Sequence, residues 1–456
     1  MLRIITLLIL SLIMLSCAHH SSTPPLNVPH NWPVHDAKYR NSAANLPCIA
    51  WWKQFNDPNL NLLIDRSLNY NNDIKVAVAN IEAAQGELKR IQLNWLPEVV
   101  GNAGYSSFPY LGFPGVLLNV VPSYTLNIFK QIKEQQQAKY ELKATQAMHN
   151  GIRLAVISQV SGNYFNYLSQ REELALLDSL ATDLSRLITI TQTMYQGGLE
   201  AKTNVEKAKA ERSLIQAKKK MVQQNIIISE NTLHYLLDEN PGKLLSAYRF
   251  QDLNGQQMII GALPLNIIEN RPDMEQARQE FYAANTRIGI AFSNLLPTVN
   301  LALARGEIAK TANGFQLGQA IHFNQAIGEM PILKASTYGQ LMEAKGLNKA
   351  AYYRYSNTLR KVLKDVSTAL SAHDLYTRRL DDALRAKEEL SHAYQLNKAL
   401  YQRGIISHLS LIEDKIKLDE LSIEVNHHKL EQLMTIVALY QDLAAGYNYV
   451  PAVLKD

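Results

Sequence analysis

One stretch of this chain occurs twice, and that duplication limits what the chain can fold into more than any other feature does. Residues 71–99 laid on residues 271–299 without a gap share Asp73/Asp273, Ala77/Ala277, Ala83/Ala283, Ala84/Ala284, Asn94/Asn294, Leu96/Leu296, Pro97/Pro297 and Val99/Val299. Each copy makes the same move: an acidic residue opens an Ala-rich helix, a Leu-Pro pair stops it, and a β-like segment follows. Proline ends a helix because it lacks an N–H and pushes its predecessor to extended geometry. A tandem repeat of this kind predicts one architecture built from two similar halves rather than several unrelated domains.

Ahead of the repeats, residues 1–16 read as a signal peptide. Arg3 is followed by an apolar run from Ile4 to Leu15, too short to span a bilayer as a helix. Cys17 comes directly after Met14-Leu15-Ser16, a pattern that resembles the bacterial lipobox, in which the cysteine becomes the lipidated N-terminus. Ala18 resembles the sorting rule for the outer membrane. The other cysteine, Cys48, then has no intrachain partner, so no disulfide framework is expected. Residues 17–56 are read as a lipidated N-terminal arm that contributes to an equatorial layer. No stretch after residue 16 approaches eighteen consecutive apolar residues, so any crossing of a membrane has to be made by strands. Charged residues are 19% of the chain and the net charge is +5, spread along its length, which argues against disorder and leaves no nucleic-acid footprint. Lys218, Lys219 and Lys220 form the one compact basic run and read as a solvated helix face.

Such strands are present in both halves. Asp57-Pro58 caps a first helix expected to run to about Trp95, and alternating segments follow near 99–108 and 118–127. In the second of these, Leu118, Val120, Tyr124 and Leu126 alternate with Asn119, Ser123, Thr125 and Asn127, with Pro122 as a blemish. Over 299–330, Val299, Leu301 and Leu303 alternate with Asn300, Ala302 and Ala304, and Ile321, Phe323 and Ile327 with His322 and Asn324. Strands of about ten residues, apolar on one face, are the signature of transmembrane β-strands; two ordinary hairpins packed on a core are the alternative. Four strands cannot close a barrel, and lipid does not tolerate an open edge, so a membrane reading requires an oligomer that pools strands, three chains giving twelve.

Between these hairpins lie very long helices. From about Phe129 to Tyr195 there is no proline, enough chain for roughly 100 Å of helix. Tyr195-Gln196-Gly197-Gly198 turns the chain back, and Tyr401-Gln402-Arg403-Gly404 does the same in the second half. In the last helix Leu409, Ile416, Ile423, Leu430, Val437 and Ala444 recur every seven residues, as do Leu411, Leu418, Val425 and Leu439, with Gln432 as the exception. Two opposed apolar stripes give a helix a neighbour on each side, like a stave in a wall, whereas a two-stranded coil needs one seam; burial inside a globular bundle is the alternative. The expected fold is thus mainly α with a pair of β-hairpins. The first repeat covers 57–260 and the second 261–446; a tail occupies 447–456, and residues 239–270 form a connecting layer.

These residues resemble the outer-membrane efflux factors of Gram-negative bacteria, the TolC-like family, and within it the OprM/NodT-type lipoprotein branch. The family's W-x-x-F-x-D-P-x-L-x-x-L-I opening is matched by Trp52, Phe55, Asp57, Pro58, Leu60, Leu63 and Ile64. Its L-P-x-x-L-L-x-x-R-P-D block is matched by Leu263, Pro264, Ile267, Ile268, Arg271, Pro272 and Asp273, with Met274 next, and its Y-x-x-G turns by Tyr195/Gly198 and Tyr401/Gly404. The chain departs from the family at the strand-to-helix corners, where Tyr124–Lys130 and Pro331–Ser336 lack the usual Asp and Gly. The resemblance implies a homotrimer: a twelve-stranded barrel in the outer membrane and a long α-barrel through the periplasm, with an equatorial layer around it. It implies an adaptor (membrane-fusion) protein docked at the periplasmic tips and an inner-membrane pump beyond, with no cofactor apart from covalent lipid on Cys17. The matching gate pattern is Leu409-Ser410-Leu411-Ile412-Glu413, making Leu409 the apolar constriction and Glu413 the acidic ring, with Asp414 beside it. Three converging carboxylates attract cations and repel anions. The alternative is a surface Glu413 paired with Lys417 at i+4. Gly197, Gly198, Leu199 and Gly404, Ile405, Ile406 are the docking-tip candidates, and Tyr105, Phe108, Tyr110 and Phe113 the candidates for an aromatic girdle.

No enzyme motif is present: the chain has no HExxH, GxSxG, phosphate loop or CxxC, and His427-His428 are adjacent and so point to different helix faces. The function expected is a passive efflux conduit with a periplasmic gate. The alternatives are the outer-membrane component of a type I secretion system and a non-conducting coiled-coil scaffold.

Overall fold

The structure is a computed structural model and describes residues 46–106, 115–244, 248–255, 271–310, 316–332 and 334–451. The signal peptide, Cys17, Phe108, Tyr110, Phe113, Leu263, Pro264, Ile267, Ile268 and residues 452–456 lie outside the described residues. After short 3-10 turns at Leu46–Cys48 and Trp51–Phe55 come α1 (Pro58–Tyr70), α2 (Asn72–Leu93), β1 (Glu98–Ser106), β2 (Gly115–Leu126), α3 (Ile128–Gln196) and α4 (Lys202–Leu236). A 3-10 turn at Phe250–Asp252 precedes α5 (Pro272–Ser293), β3 (Thr298–Lys310), β4 (Gln316–Glu329), α6 (Ala335–Gln402) and α7 (His408–Asp442). The run helix, hairpin, very long helix, tight turn, return helix therefore occurs twice.

The first helix is not continuous to Trp95. It breaks at Asn71, whose side chain accepts from the N–H groups of Asp73 at 2.9 Å and Ile74 at 3.3 Å and so caps a new helix. The same side chain donates to Leu236 O at 3.0 Å, tying the break to the end of α4. The Asn69-Tyr70-Asn71-Asn72-Asp73 run carries this signal in the sequence.

The chain divides into two units. In the first, the four strands form one antiparallel sheet in the order β1-β2-β3-β4. Pro122 is paired with Val99 of β1, but the β2–β3 ladder passes from Val120↔Arg305 to Ser123↔Ala302, skipping the proline that cannot donate. Leu118, Val120, Val99, Tyr105, Leu301 and Leu303 are exposed large side chains on one face; on the other, Asn102 Nδ2 donates to Asn119 Oδ1 at 3.0 Å. On β4 the apolar set changes sides. Leu301 is paired with Ala326, and Asn300 with Ile327, so Ile327 shares a face with Asn300. Side chains alternate with period two, so register alone decides the face, and β4, an edge strand, has only the β3 ladder to set its register.

At the strand-to-helix corner, Asn127 caps α3. Its Oδ1 accepts from Lys130 N at 3.0 Å, and its Nδ2 reaches Ser293 O of α5 at 3.4 Å. Phe281 of α5 stacks at 6.5 Å on Tyr355 of α6, and Gly289 lies against the Lys133 stem, which a Cβ would approach to 3.1 Å.

The second unit takes the described residues within 30–78, 148–273 and 359–456. Its core is built on the opening motif: Trp52, Phe55, Leu60, Leu63 and Ile64 are buried with Val156, Ile157, Val160, Tyr164, Phe165, Ile436 and Tyr440. Asp57 caps α1 through Asn59 N at 2.8 Å and accepts the Tyr164 hydroxyl at 2.7 Å. Trp51 stacks flat on Tyr440 at 4.9 Å. Just past α7, Gly446 has φ +92° and packs so close to Trp52 that a Cβ would meet the ring at 2.8 Å, so both backbone and space require glycine. Arg153 donates to the carbonyls of Tyr447 at 2.8 Å and Tyr449 at 2.6 Å, holding the C-terminal segment on α3.

Candidate functional site

The two helix reversals close by the same bonds. After α3, Leu199 N donates to Met194 O at 2.8 Å and Gly198 N to Tyr195 O at 3.0 Å; after α6, Ile405 N donates to Leu400 O at 3.0 Å and Gly404 N to Tyr401 O at 2.8 Å. Gly198 and Gly404 both have φ +73°, the left-handed geometry of a helix-terminating glycine. The residue after each is held out in solvent, Leu199 77% and Ile405 65% exposed, while Ile406 is half-buried. The next helices start differently: Ser407 Oγ accepts from Ser410 N at 3.1 Å, whereas Glu200 binds Ala201 N and Asn204, which lowers its carboxyl below the usual range.

The gate candidates lie on the first turns of α7. Leu409 is half-buried and Glu413 exposed. Among the described residues Glu413 has no ion pair, with Lys417 or otherwise. Asp414 is about 100° further round the helix and accepts from Asn397 Nδ2 of α6 at 2.7 Å. The structure therefore places Glu413 and Leu409 near one face and turns Asp414 toward a neighbouring helix.

Both apolar stripes of α7 are used within the chain. Ile416 and Ile423, with Ile412, are buried against Leu177, Leu180 and Leu184 of α3. On the opposite side Leu411, Val425 and Leu439 are buried, and Gln432, the exception in that stripe, donates to Thr377 Oγ1 of α6 at 3.3 Å. Beyond α3 comes α4, through Lys219 with Asp178 and Asn225 with Gln170. The order α4-α3-α7-α6 is a row of staves. Two of the three lysines read as a solvated face are engaged with α3, Lys218 on Glu173 at 3.1 Å and Lys219 on Asp178.

Sequence reasoning missed the polar groups inside these seams. Asn426 Nδ2 bonds Ser169 O at 3.2 Å. Buried Glu173 takes Lys218 of α4 and, at 3.1 Å, His427 Nε2 of α7. Burial pushes the Glu173 carboxyl up, but the bonds from His427 and Lys218 outweigh it and leave it lowered, and Glu173 in turn raises His427. The available signal was a third heptad row, Ile412, Asp419, Asn426 and Leu433, with polar residues at its middle two positions. Among the described residues no group of three His, Cys, Asp or Glu side chains forms a metal site, and no helix is long and apolar enough to cross a membrane.

A duplicated protomer of paired long helices with a four-stranded antiparallel sheet defines the TolC-like outer-membrane channel class. The profile described as "Outer membrane efflux protein" matches residues 63–238 and 263–445. The "Probable efflux pump outer membrane protein TtgC" of Pseudomonas putida is 23% identical over 445 residues, covering 93% of this chain and 91% of that one. The "Pyoverdine export outer membrane protein OpmQ" of the same species is 25% identical, covering 98% of each. Among solved structures, the open state of the Neisseria gonorrhoeae MtrE outer membrane channel superposes with a TM-score of 0.83 at 19% identity, over 95% of this chain and 99% of that one. The chain belongs to the outer membrane efflux protein family. It is an efflux component of the outer membrane, and the members of its family are channels rather than enzymes.

Proposed function

We propose that three copies of this chain form the conduit of a tripartite efflux system. Their strands pool into a twelve-stranded barrel, their staves close into a periplasmic tunnel, and small molecules pass from the periplasm to the exterior. The conduit is passive and needs no cofactor. An acylated Cys17 anchors it to outer-membrane lipid, and its tips, Gly197, Gly198, Leu199, Gly404, Ile405 and Ile406, receive a periplasmic adaptor that leads to an inner-membrane pump. Leu409 and Glu413 close the periplasmic end, with Asp414 bracing that turn against α6 through Asn397.

The observation that carries this reading is an uncovered seam at the end of the stave row. On α4, Leu214, Met221, Ile228 and Tyr235 recur every seven residues and are 70%, 56%, 53% and 69% exposed. A different face of α4, about 100° further round, carries Val222, Ser229 and Leu233 and is buried. At the other end of the row α6 leaves Leu375 and Leu396 exposed, with Asp382 and Glu389 at the two heptad positions between them. A row with a bare apolar seam on α4 and exposed leucines on α6 is completed by the next copy, α4 against α6, and such a head-to-tail contact forms a ring where its rotation closes.

The test is the purified protein in detergent and in planar bilayers. Native mass spectrometry is expected to give a trimer, with cation-selective channels that widen in Glu413→Gln. The double variant Met221→Asp/Ile228→Asp is expected to run as a monomer without conductance. A wild-type monomer, or a trimer indifferent to these two aspartates, sinks the reading.

A further inference from the structure

Two turns of helix from the candidate gate, the α3–α7 seam contains charge where apolar packing would be expected. Asp419 of α7 and Asp183 of α3 have side chains only 7% and 3% exposed. One ammonium serves both: Lys415 Nζ is bonded to Asp419 Oδ1 and lies 3.6 Å from Asp183 Oδ2. The remaining oxygens are also occupied, Asp419 Oδ2 by Ser179 Oγ at 3.2 Å and Asp183 Oδ1 by Arg186 Nη1 at 2.6 Å. Leu180, Leu184, Ile412 and Ile416 form the apolar surroundings.

The other charged groups nearby are engaged elsewhere or point away. On α3, Asp178 is held by Lys219 of α4; on α7, Asp414 is taken by Asn397 of α6, and Glu413, Lys417 and Glu420 face solvent, with Glu211 of α4 the neighbour of Glu420. Arg186 reaches the cluster from a solvent-exposed position, so Lys415 is the cation that holds the two acids together across the seam. Burial pushes the Asp419 carboxyl above its ordinary range, Lys415 opposes that, and contact with Asp183 adds to it. Two carboxylates this deep in a low-dielectric seam repel unless a cation lies between them.

We infer that Lys415 is a positioning residue that sets how closely the gate-bearing end of α7 sits against α3, by neutralising the Asp183–Asp419 pair. The assignment rests on the gate reading above only for its effect on conduction; its effect on the seam stands alone.

Spin labels at Thr182→Cys on α3 and Lys417→Cys on α7 in the full-length protein carrying Cys48→Ser, which removes the exposed free thiol, read the seam, and planar-bilayer recordings read the gate. Lys415→Met at pH 7.5 should widen the label distance and raise spontaneous opening by about tenfold or more, because a buried charge is left uncompensated. Lowering the pH to 5 should reverse both effects, since protonating one acid lets the pair share a proton. The triple variant Asp183→Asn/Lys415→Met/Asp419→Asn should keep the wild-type distance at either pH, which separates repulsion from lost packing. A label distance unmoved by Lys415→Met, or a triple variant as wide as the single one, overturns the inference. A widened, acid-reversible seam without any change in conductance keeps the latch and refutes the gate reading instead.

Discussion

Asp442, the last residue of α7, is the clearest case of a single residue working against its surroundings. Burial pushes its carboxyl up to about 6; Arg271 opposes the shift, and Asp365 and Asp273 reinforce it. Arg271 forks onto Asp273 at 3.0 and 2.8 Å and also donates to the Asp442 carbonyl, so it closes the end of α7 by backbone contact. The sign follows from proton binding. Between the ordinary aspartate value and about 6 the folded state binds the proton and the unfolded state does not, so stability falls as pH rises through that window and stays lowered above it. Asp442→Asn is therefore expected to stabilise the protein at pH 8 by about 2–3 kcal/mol and to have little effect at pH 4. Urea midpoints at the two values check this, and a variant equally or less stable at pH 8 refutes it. Nothing in the sequence around Asp442 announces the shift, because burial is a product of the packing and the reinforcing Asp365 and Asp273 lie far away in the chain. Asn71, by contrast, was legible: an Asx residue ahead of an acidic first turn is a cap, and only the length of the periodic pattern concealed it.

At the scale of elements, the long helices and their reversals were readable because their determinants are local. Absence of proline gave the length, and a Y-x-x-G pattern gave a left-handed glycine at Gly198 and Gly404. The neighbours of each helix were only half readable. The two stripes of α7 implied two partners, and α3 and α6 are those partners. The α4 heptad and the charges at Asp183, Lys415 and Asp419 went unread, since periodicity counts apolar residues and passes over a polar one that is satisfied across a seam. The tips give an element-level prediction. Leu199 and Ile405 sit on glycine-closed turns with their side chains largely in solvent, so Leu199→Asp/Ile405→Asp should leave trimer assembly and thermal stability within about 0.5 kcal/mol of wild type. The same variant should lose in-cell crosslinking to the adaptor and the resistance that depends on efflux. Unchanged resistance and crosslinking would remove the tips from the docking surface.

For the whole molecule, the sheet poses the question that a single chain leaves open. Four strands in the order β1-β2-β3-β4 have two free edges, and a membrane accepts neither. In the trimer proposed above, β1 of one copy would pair with β4 of the next, and that second ladder would join the β3 ladder in setting the face of β4. Alternation in the sequence showed that β4 has two unlike faces; it carried no information on which faces lipid, because a slip of one residue exchanges them. Cysteines on β1 at Val99, Gly101 or Ala103, combined singly with cysteines on β4, resolve the matter in the assembled protein. With the register seen here, Ala320, Asn324 and Gly328 share the face of Val99, and these positions should give covalent trimers on a denaturing gel while Gln325 and Ile327 do not. If Gln325 and Ile327 crosslink instead, β4 has moved by one residue and Ile327 joins Leu301 on the apolar face. Should neither set join the chains, β1 and β4 are not neighbours, and the pooled barrel is refuted along with the channel it encloses.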